Sequence, residues 1–591
     1  MKSRVAGSLM LSMAVAVGLA ACAGGGDRQT LTGQDLVHDP ATTSSDRASN
    51  ATVAQPPADA GAAMAQAASP KQAMRSALFA RENMASMMLP PRMPPAAPFN
   101  REGYEAITEN RFHDPQVTPL STFGLDVDTA SYTNLRRLLN AGQTPPIDAV
   151  RIEELVNYFD YSELPVSGQH PIRLRTELTE APWADGHLLA MVQVAAHAPK
   201  PAQALPNRLV FLIDTSGSMQ APDKLPMLQR AFRQLTEQLG PEDSVAIVTY
   251  AGNAGVALPA TRGDQKSKLY EAIGRMQAGG STAGARGIEL AYQIAQEQFD
   301  AEANNRVILA TDGDFNVGAS SQGELVRLIE QRRDQGIYLT VLGFGTGNYQ
   351  DGRMHRLADH GDGNYYYIDT DLEARRVLVD KLQGTLVTVA KDVKLQVEFN
   401  PQRVAQYRLL GYETRALAAE DFKDDRKDAG DVGAGQRVTA LYEIVPVGAQ
   451  TGAPDALRYQ TRKPTPASQR KDEWMLVKAR YKQPDGGAST ELRNVVEADV
   501  TALAQASADL QWAAAVAEFG LVMRKSEHAA DASFADVLRR SERLAQRSDD
   551  PARDEFVGLV RQANLLAKAP EPLRMGRDYQ PAHQTTARVQ E

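Results

Sequence analysis

Only one cysteine occurs in the 591 residues, Cys22. An intramolecular disulfide is therefore impossible, and the chain beyond it can hold neither a thiolate metal centre nor a cysteine nucleophile. Positive charge is not in excess either. With 64 Lys and Arg against 73 Asp and Glu the net charge is −9, which gives no basic footprint for nucleic acid. The apolar run near the N-terminus, Leu9 to Ala21, is too short for a stable membrane span. Several catalytic signatures are missing as well. No G-x-S-x-G elbow surrounds Ser216 or Ser218, so a hydrolase reading has no nucleophile in place. His355 and His360 lack the H-E-x-x-H arrangement of zinc proteases and read as surface or packing residues. Gly343-Phe-Gly-Thr-Gly347 is not followed by the Lys-Ser/Thr of a P-loop and reads as a tight turn. Gly361-Asp-Gly-Asn364 is too short for an EF-hand loop. The residues give no support to an enzyme.

What is present centres on Leu209-Val-Phe-Leu-Ile213 followed by Asp214-Thr-Ser-Gly-Ser218. Five apolar residues in a row read as a fully buried strand of a parallel sheet. It ends in small oxygen-bearing side chains, with Gly217 letting the loop bend. Ligands of open α/β sheets bind just outside the carboxyl ends of strands. One carboxylate and two hydroxyls at alternate positions there can turn toward one point, and such hard donors suit Mg²⁺, Mn²⁺ or Ca²⁺.

From residue 205 to 390 the chain alternates strands and helices in the manner of a doubly wound, mostly parallel sheet. Expected strands are Leu209–Ile213, Ser244–Tyr250, Val256–Leu258, Val307–Thr311, Tyr338–Gly343 and Tyr365–Ile368. Helices fall between them, beginning with the amphipathic stretch Lys224 to Leu239. The alternation supplies two further oxygen groups. Thr282, in Gly279-Gly-Ser-Thr282, lies in a loop directly before a helix. Asp312 follows a strand that belongs beside the first one; Asp314 and Asn316 shape the rim or serve the loop.

Before this unit, Met1-Lys-Ser-Arg4 and the short apolar run form a secretory signal over residues 1–22. Residues 23–114, rich in Ala, Pro, Gly, Ser and Met, read as a disordered tether. Lys71 to Met88 forms a helical patch in it that Pro90-Pro91 stops. Residues 115–204 carry a strand near Ser121–Asp128, helices over Ala130–Ala141 and Asp148–Phe159, and strands at Ile172–Glu180 and His187–Ala195. Asp126-Val-Asp128 echoes the first metal loop but lacks its Gly and second spaced hydroxyl, so it is expected to cap a helix. Residues 391–500 switch to strands (Val393–Phe399, Arg437–Val445, Trp474–Tyr481), as in a sandwich. Residues 501–568 are helical with an apolar face at Trp512, Phe519, Leu521 and Val522, and 569–591 form a polar tail.

Asp-x-Ser-x-Ser alone is weak, but Asp214, Ser216, Ser218, Thr282 and Asp312 at these places in an α/β alternation match position by position the metal-ion-dependent adhesion site of von Willebrand factor type A domains. Over about Pro115 to Leu566 the chain resembles the bacterial von Willebrand factor type A lipoproteins. The signatures are Ser121-Thr-Phe-Gly-Leu-Asp-Val-Asp-Thr-Ala-Ser131 before the unit, and Lys391–Asn400 and Tyr407–Tyr412 after it. The resemblance implies an α/β unit inserted in or flanked by a β-sandwich-like domain, the strands before Pro199 completing the sandwich. It implies a divalent cation, Mg²⁺ first and Mn²⁺ or Ca²⁺ as alternatives. Hydroxyls and partly water-mediated carboxylates under-neutralise that ion, leaving it to take an Asp or Glu from a partner protein. Leu19-Ala-Ala-Cys22 resembles a lipobox, which implies a lipidated Cys22 and anchorage in the bacterial envelope; Ala23 after it points to the outer membrane by analogy. The expected function is non-catalytic protein binding through the ion. The alternative is a structural or assembly factor of envelope complexes acting through the β and helical regions without the metal.

Overall fold

The computed structural model describes residues 102–568, apart from 126, 165–169, 198–204, 281–283, 314, 316–321, 348, 382–383, 385, 450–471, 485 and 498. The signal sequence with Cys22, the tether up to residue 101 with its helical patch, Asp126, Thr282, Asp314, Asn316 and the tail lie outside the described residues.

The chain begins with β1 (Leu120–Gly124), α1 (Ala130–Asn140), α2 (Ile152–Asn157), β2 (Ile172–Glu180) and β3 (Leu188–Ala196). An α/β stretch follows: β4 (Asn207–Asp214), α3 (Leu225–Gln238), β5 (Ser244–Tyr250), β6 (Ala254–Arg262), α4 (Lys266–Arg275) and α5 (Gly284–Glu297). It continues through β7 (Asn304–Thr311), α6 (Gln322–Arg333), β8 (Tyr338–Phe344), α7 (Asp351–His360), β9 (Tyr365–Ile368) and α8 (Asp371–Arg375). Next come β10 (Thr388–Phe399), β11 (Val404–Leu410), β12 (Val432–Gly433), β13 (Arg437–Pro446), β14 (Met475–Gln483) and β15 (Gly486–Val496). The helices α9 (Ala508–Arg524), α10 (Phe534–Ala545) and α11 (Pro551–Lys568) close the described chain.

The α/β stretch builds one six-stranded sheet in the order β6-β5-β4-β7-β8-β9, parallel except for β6. Its central strands are covered on both sides, which is why they read as unbroken apolar runs rather than alternating ones. Leu228, Phe232, Leu235 and Leu269 pack on one face. Ile288, Tyr292, Ile329 and Met354 pack on the other. This is a doubly wound sheet, and its strand order reverses direction beside β4.

Two antiparallel sheets face each other elsewhere, β1-β10-β14-β15 and β11-β13-β3-β2. Phe123, Val192, Val194, Leu395, Val397, Tyr442 and Val477 fill the space between them. Strand β3 pairs with β13 in register, Met191 opposite Leu441, although the whole α/β stretch separates them in sequence. The α/β unit is therefore inserted into a sandwich whose halves come from both sides of it. Helices α9–α11 share a single core with α1, α2 and the outer residues Leu189, Met191 and Leu441 of that sandwich. Phe159, Trp512 and Phe556 meet edge to face there, with centroids 5.2–5.5 Å apart. Ser507 and Ser533 cap α9 and α10 by accepting from Leu510 N and Asp536 N.

Two expectations are corrected. Strands β11 and β15 were not visible in the sequence; β15 lies at a sheet edge, opens on two glycines and is half exposed, so it has little alternation to read. Asp128 does not cap α1, whose cap residue Thr129 makes no side-chain bond. The Asp128 carboxylate instead accepts from Tyr365 N at 2.8 Å, recruited by the start of β9. Of the two places expected for His355, surface or packing, the structure gives packing, at 7% exposed. No described helix is long and apolar enough to cross a membrane.

Candidate metal centre at the carboxyl end of the sheet

Parallel pairing of β4 with β5 and β7 brings three strand ends side by side: Asp214 lies opposite Tyr250, and Ile213 opposite Ala310. Asp214 is fully buried. Its Oδ1 accepts from Ser216 N at 2.8 Å, and its Oδ2 accepts from Tyr250 OH at 3.2 Å and Thr311 Oγ1 at 3.3 Å. Burial pushes the carboxyl up to about 6; the Ser216 hydrogen bonds oppose that rise and the charge of Asp312 adds to it. The Ser216 and Ser218 hydroxyl oxygens lie 2.9 Å apart.

Asp312 stands directly after β7 and is almost fully buried. Its Oδ2 accepts from Lys224 Nζ at 2.8 Å. Gly279 and Gly280 are strapped to the loop after β4. Gly279 N donates to Thr215 O at 2.8 Å, and Gly217 N donates to Gly280 O at 3.1 Å. Thr282 itself is outside the described residues. The structure thus gathers Asp214, Ser216, Ser218 and Asp312 at one sheet end, with Gly279 and Gly280 beside them.

The donors are carboxylate and hydroxyl oxygens, the chemistry of Mg²⁺, Mn²⁺ and Ca²⁺ rather than of a thiophilic metal. The residues fit a hard divalent ion. Sequence reasoning missed Tyr250, Thr311 and Lys224. The first two are strand ends whose importance depends on which strands are neighbours. Lys224 reads only as the polar start of an amphipathic helix.

A second cluster joins three parts of the chain. His355 on α7 lies 3.4 Å from Asp128 Oδ2 and 3.2 Å from Asp359 Oδ2. The spacing would suit an ion. Arg415, from the β region, already donates to Asp359 Oδ1 at 2.6 Å and reaches within 3.4 Å of the imidazole. The guanidinium supplies the positive charge there, which makes the cluster an ion-pair joint rather than a metal centre. Beside it a cavity of about 240 Å³ is lined by Asp362, Asp428 and Asp431. Burial and mutual repulsion push these carboxyls up, Asp362 to about 9 and Asp431 to about 7. Asp428, half exposed, rises to about 6.

The strand order, the site at the switch point and its oxygen donors define a von Willebrand factor type A unit, a module that serves protein–protein interaction and typically holds a divalent metal. The profile of the von Willebrand factor type A domain matches residues 209–383, and a second profile, described as von Willebrand factor, matches 98–191. The profile "Uncharacterized protein YfbK, C-terminal" matches 384–566. The uncharacterized protein YfbK of Escherichia coli (strain K12) is 40% identical over 468 residues, covering 78% of this chain and 81% of that protein. The chain belongs to this family of bacterial type A proteins with a YfbK C-terminal domain. Inter-alpha-trypsin inhibitor heavy chain H4 of Sus scrofa is 28% identical over 239 residues, 39% of this chain, and the chain spans only 23% of its length. Among solved structures, a von Willebrand factor type A protein from Catenulispora acidiphila is 18% identical, with a TM-score of 0.37 over 67% of this chain and 91% of that one.

Proposed function

We propose that this chain is a non-catalytic envelope lipoprotein that binds a partner protein through a divalent cation held by Asp214, Ser216, Ser218, Thr282 and Asp312. Mg²⁺ is the preferred ion, with Mn²⁺ or Ca²⁺ as alternatives. The observation that carries the reading is the convergence of buried Asp214 and Asp312 with two hydroxyls at the open end of the sheet. When bound, the ion supplies an electrophilic centre for an Asp or Glu of the partner. Asp214 is held rigid for that task by Tyr250, Thr311 and the Ser216 backbone. Lipidation at Cys22 would tie the protein to the membrane at the end of the tether, and the outer membrane follows only by analogy with enteric lipoproteins.

Calorimetric titration with Mg²⁺ and Mn²⁺ tests the ion. The wild-type chain should bind, and Asp214→Ala/Ser216→Ala should not, with the fold retained by circular dichroism. An unchanged titration in that variant removes the metal reading. A crosslinking pull-down from envelope extract, with Mg²⁺ and with chelator side by side, tests the partner. Capture indifferent to chelator but lost on deleting residues 391–566 would favour an assembly factor acting through the β and helical regions.

A further inference from the structure

Lys224 is a buried cation at the candidate metal site, and no sequence motif assigns it a task. It precedes α3, is 5% exposed, and its ammonium donates to Asp312 Oδ2 at 2.8 Å. Lysine is rarely buried to that degree unless paired. Its seat is built deliberately from a third loop. Gly345, just after β8, has φ +73°, and a Cβ there would lie 2.3–2.8 Å from three carbons of the Lys224 stem. Only glycine satisfies both the backbone angle and the close approach. The turn before α3, the loop after β7 and the loop after β8 therefore cooperate to deliver one positive charge to one oxygen of a metal-site carboxylate.

Resting on the metal reading above, we infer that Lys224 determines the specificity of the site by offsetting the charge of Asp312, so that the bound cation keeps positive charge for an acidic ligand. Without the ammonium, two carboxylates face two positive charges. With it, one unit of that negative charge is already answered. The ion is then held less tightly than its two carboxylates alone would hold it, and the loaded site is more positive by one unit. In a poorly hydrated site such a charge is weakly screened. An incoming Asp or Glu gains from it, whereas a neutral or cationic side chain does not. Lys224 acts here as a positioning and charge-setting residue and does not ligate the ion.

The full chain is titrated with Mg²⁺ by calorimetry as wild type, Lys224→Met, Lys224→Gln and Lys224→Arg. The Mn²⁺-loaded forms are then titrated with N-acetylglutamate and, as neutral control, N-acetylglutamine, read by water-proton relaxation. Loss of the charge should tighten Mg²⁺ about tenfold and weaken N-acetylglutamate by a similar factor. Lys224→Arg should behave as wild type, which a simple packing role would not predict for the uncharged Gln variant alone. If wild type binds Mg²⁺ but the Met and Gln variants bind it equally or more weakly, the charge-setting role is wrong while the metal site stands. If wild type binds neither Mg²⁺ nor Mn²⁺, the metal reading falls and this inference with it. Should Lys224→Met unfold, the Gln and Arg pair still decides the matter.

Discussion

Asp362 stands where the inserted α/β unit meets the β region, and replacing it with Asn should stabilise the protein at neutral pH. It lies in the loop between α7 and β9 at φ +45°, a backbone that Asn adopts readily. Asp431 and Asp428 face it from the loop before β12, Arg333 from the end of α6, and Lys391 from β10. Arg333 is nearer to Asp428, at 2.7 Å, than to Asp362, at 3.6 Å, and Asp431 Oδ2 has no hydrogen-bond partner among the described residues. Burial, then Asp431 and Asp428, raise the Asp362 carboxyl from 3.8 to about 9. The folded chain thus keeps a proton there that the unfolded chain gives up. This contribution to stability is full below pH ~4, where both states are protonated, and is lost as pH rises toward 9. At about 1.4 kcal/mol per pKa unit, neutral pH already costs about 4 kcal/mol as a ceiling. The neighbouring carboxyls share the same repulsion, so about 2 kcal/mol falls to Asp362 itself. Asn keeps the shape and carries no such cost. Urea unfolding of the full chain at pH 4, 7 and 8.5 should show Asp362→Asn close to wild type at the lowest pH, more stable by about 2 kcal/mol at pH 7, and by a larger margin at pH 8.5. A difference that does not change with pH, or a variant weaker than wild type at pH 8.5, would refute the reasoning.

Gly345→Ala should displace the Lys224 stem and cost about 1–3 kcal/mol by overpacking and strain; a urea midpoint within error of wild type would contradict the seat described for Lys224. Arg136, 3% exposed, donates to Asp369, Glu373 and Glu555, so Arg136→Met leaves buried carboxylates unanswered. A loss of about 3–5 kcal/mol is expected, and a change below about 1 kcal/mol would show the joint to be dispensable. Trp512→Ala removes the ring between Phe159 and Phe556 and should cost about 3–5 kcal/mol in the same assay; a small effect would mean that the helices are held by something other than the shared core.

The buried strands of the α/β unit were legible because a sheet covered on both faces writes its pattern locally, in runs such as Leu209–Ile213. The candidate site was legible in part for the same reason: Asp214, Ser216 and Ser218 are neighbours in sequence, and Asp312 falls at the end of the adjacent strand. Edge elements were not. Strand β15 is half exposed and begins with Gly486-Gly487, so neither alternation nor an apolar run marks it. Tyr250, Thr311 and Lys224 matter to the site only because β5, β7 and the turn before α3 converge on it, and periodicity carries no information about convergence.

The joints between units lay furthest from view, and they explain why an inserted unit is not a loose one. Arg151 donates to Asp351 on α7 and to Glu154 on its own helix. Arg136 ties α1 to Asp369 and Glu373 in the α/β unit and to Glu555 on α11. Arg415 of the β region closes on Asp359 and His355. Apart from Arg151–Glu154, each bond links residues tens to hundreds of positions apart, and each residue alone looks like an ordinary surface charge. An apolar seam would have announced itself as surplus hydrophobic residues on helix faces. A seam of buried ion pairs is silent in sequence, yet it fixes orientation strictly, since each guanidinium must meet its carboxylates at hydrogen-bond distance or leave them buried and unanswered. The residues at the entry of the described chain follow the same rule. Glu102 accepts from Gly347 N and pairs with Arg137, and Gly103 bridges to Gln350, in the loop that also carries Gly345. The seat of Lys224 is thereby braced from outside the α/β unit, so the charge balance at the metal end depends on residues that no metal-site motif contains.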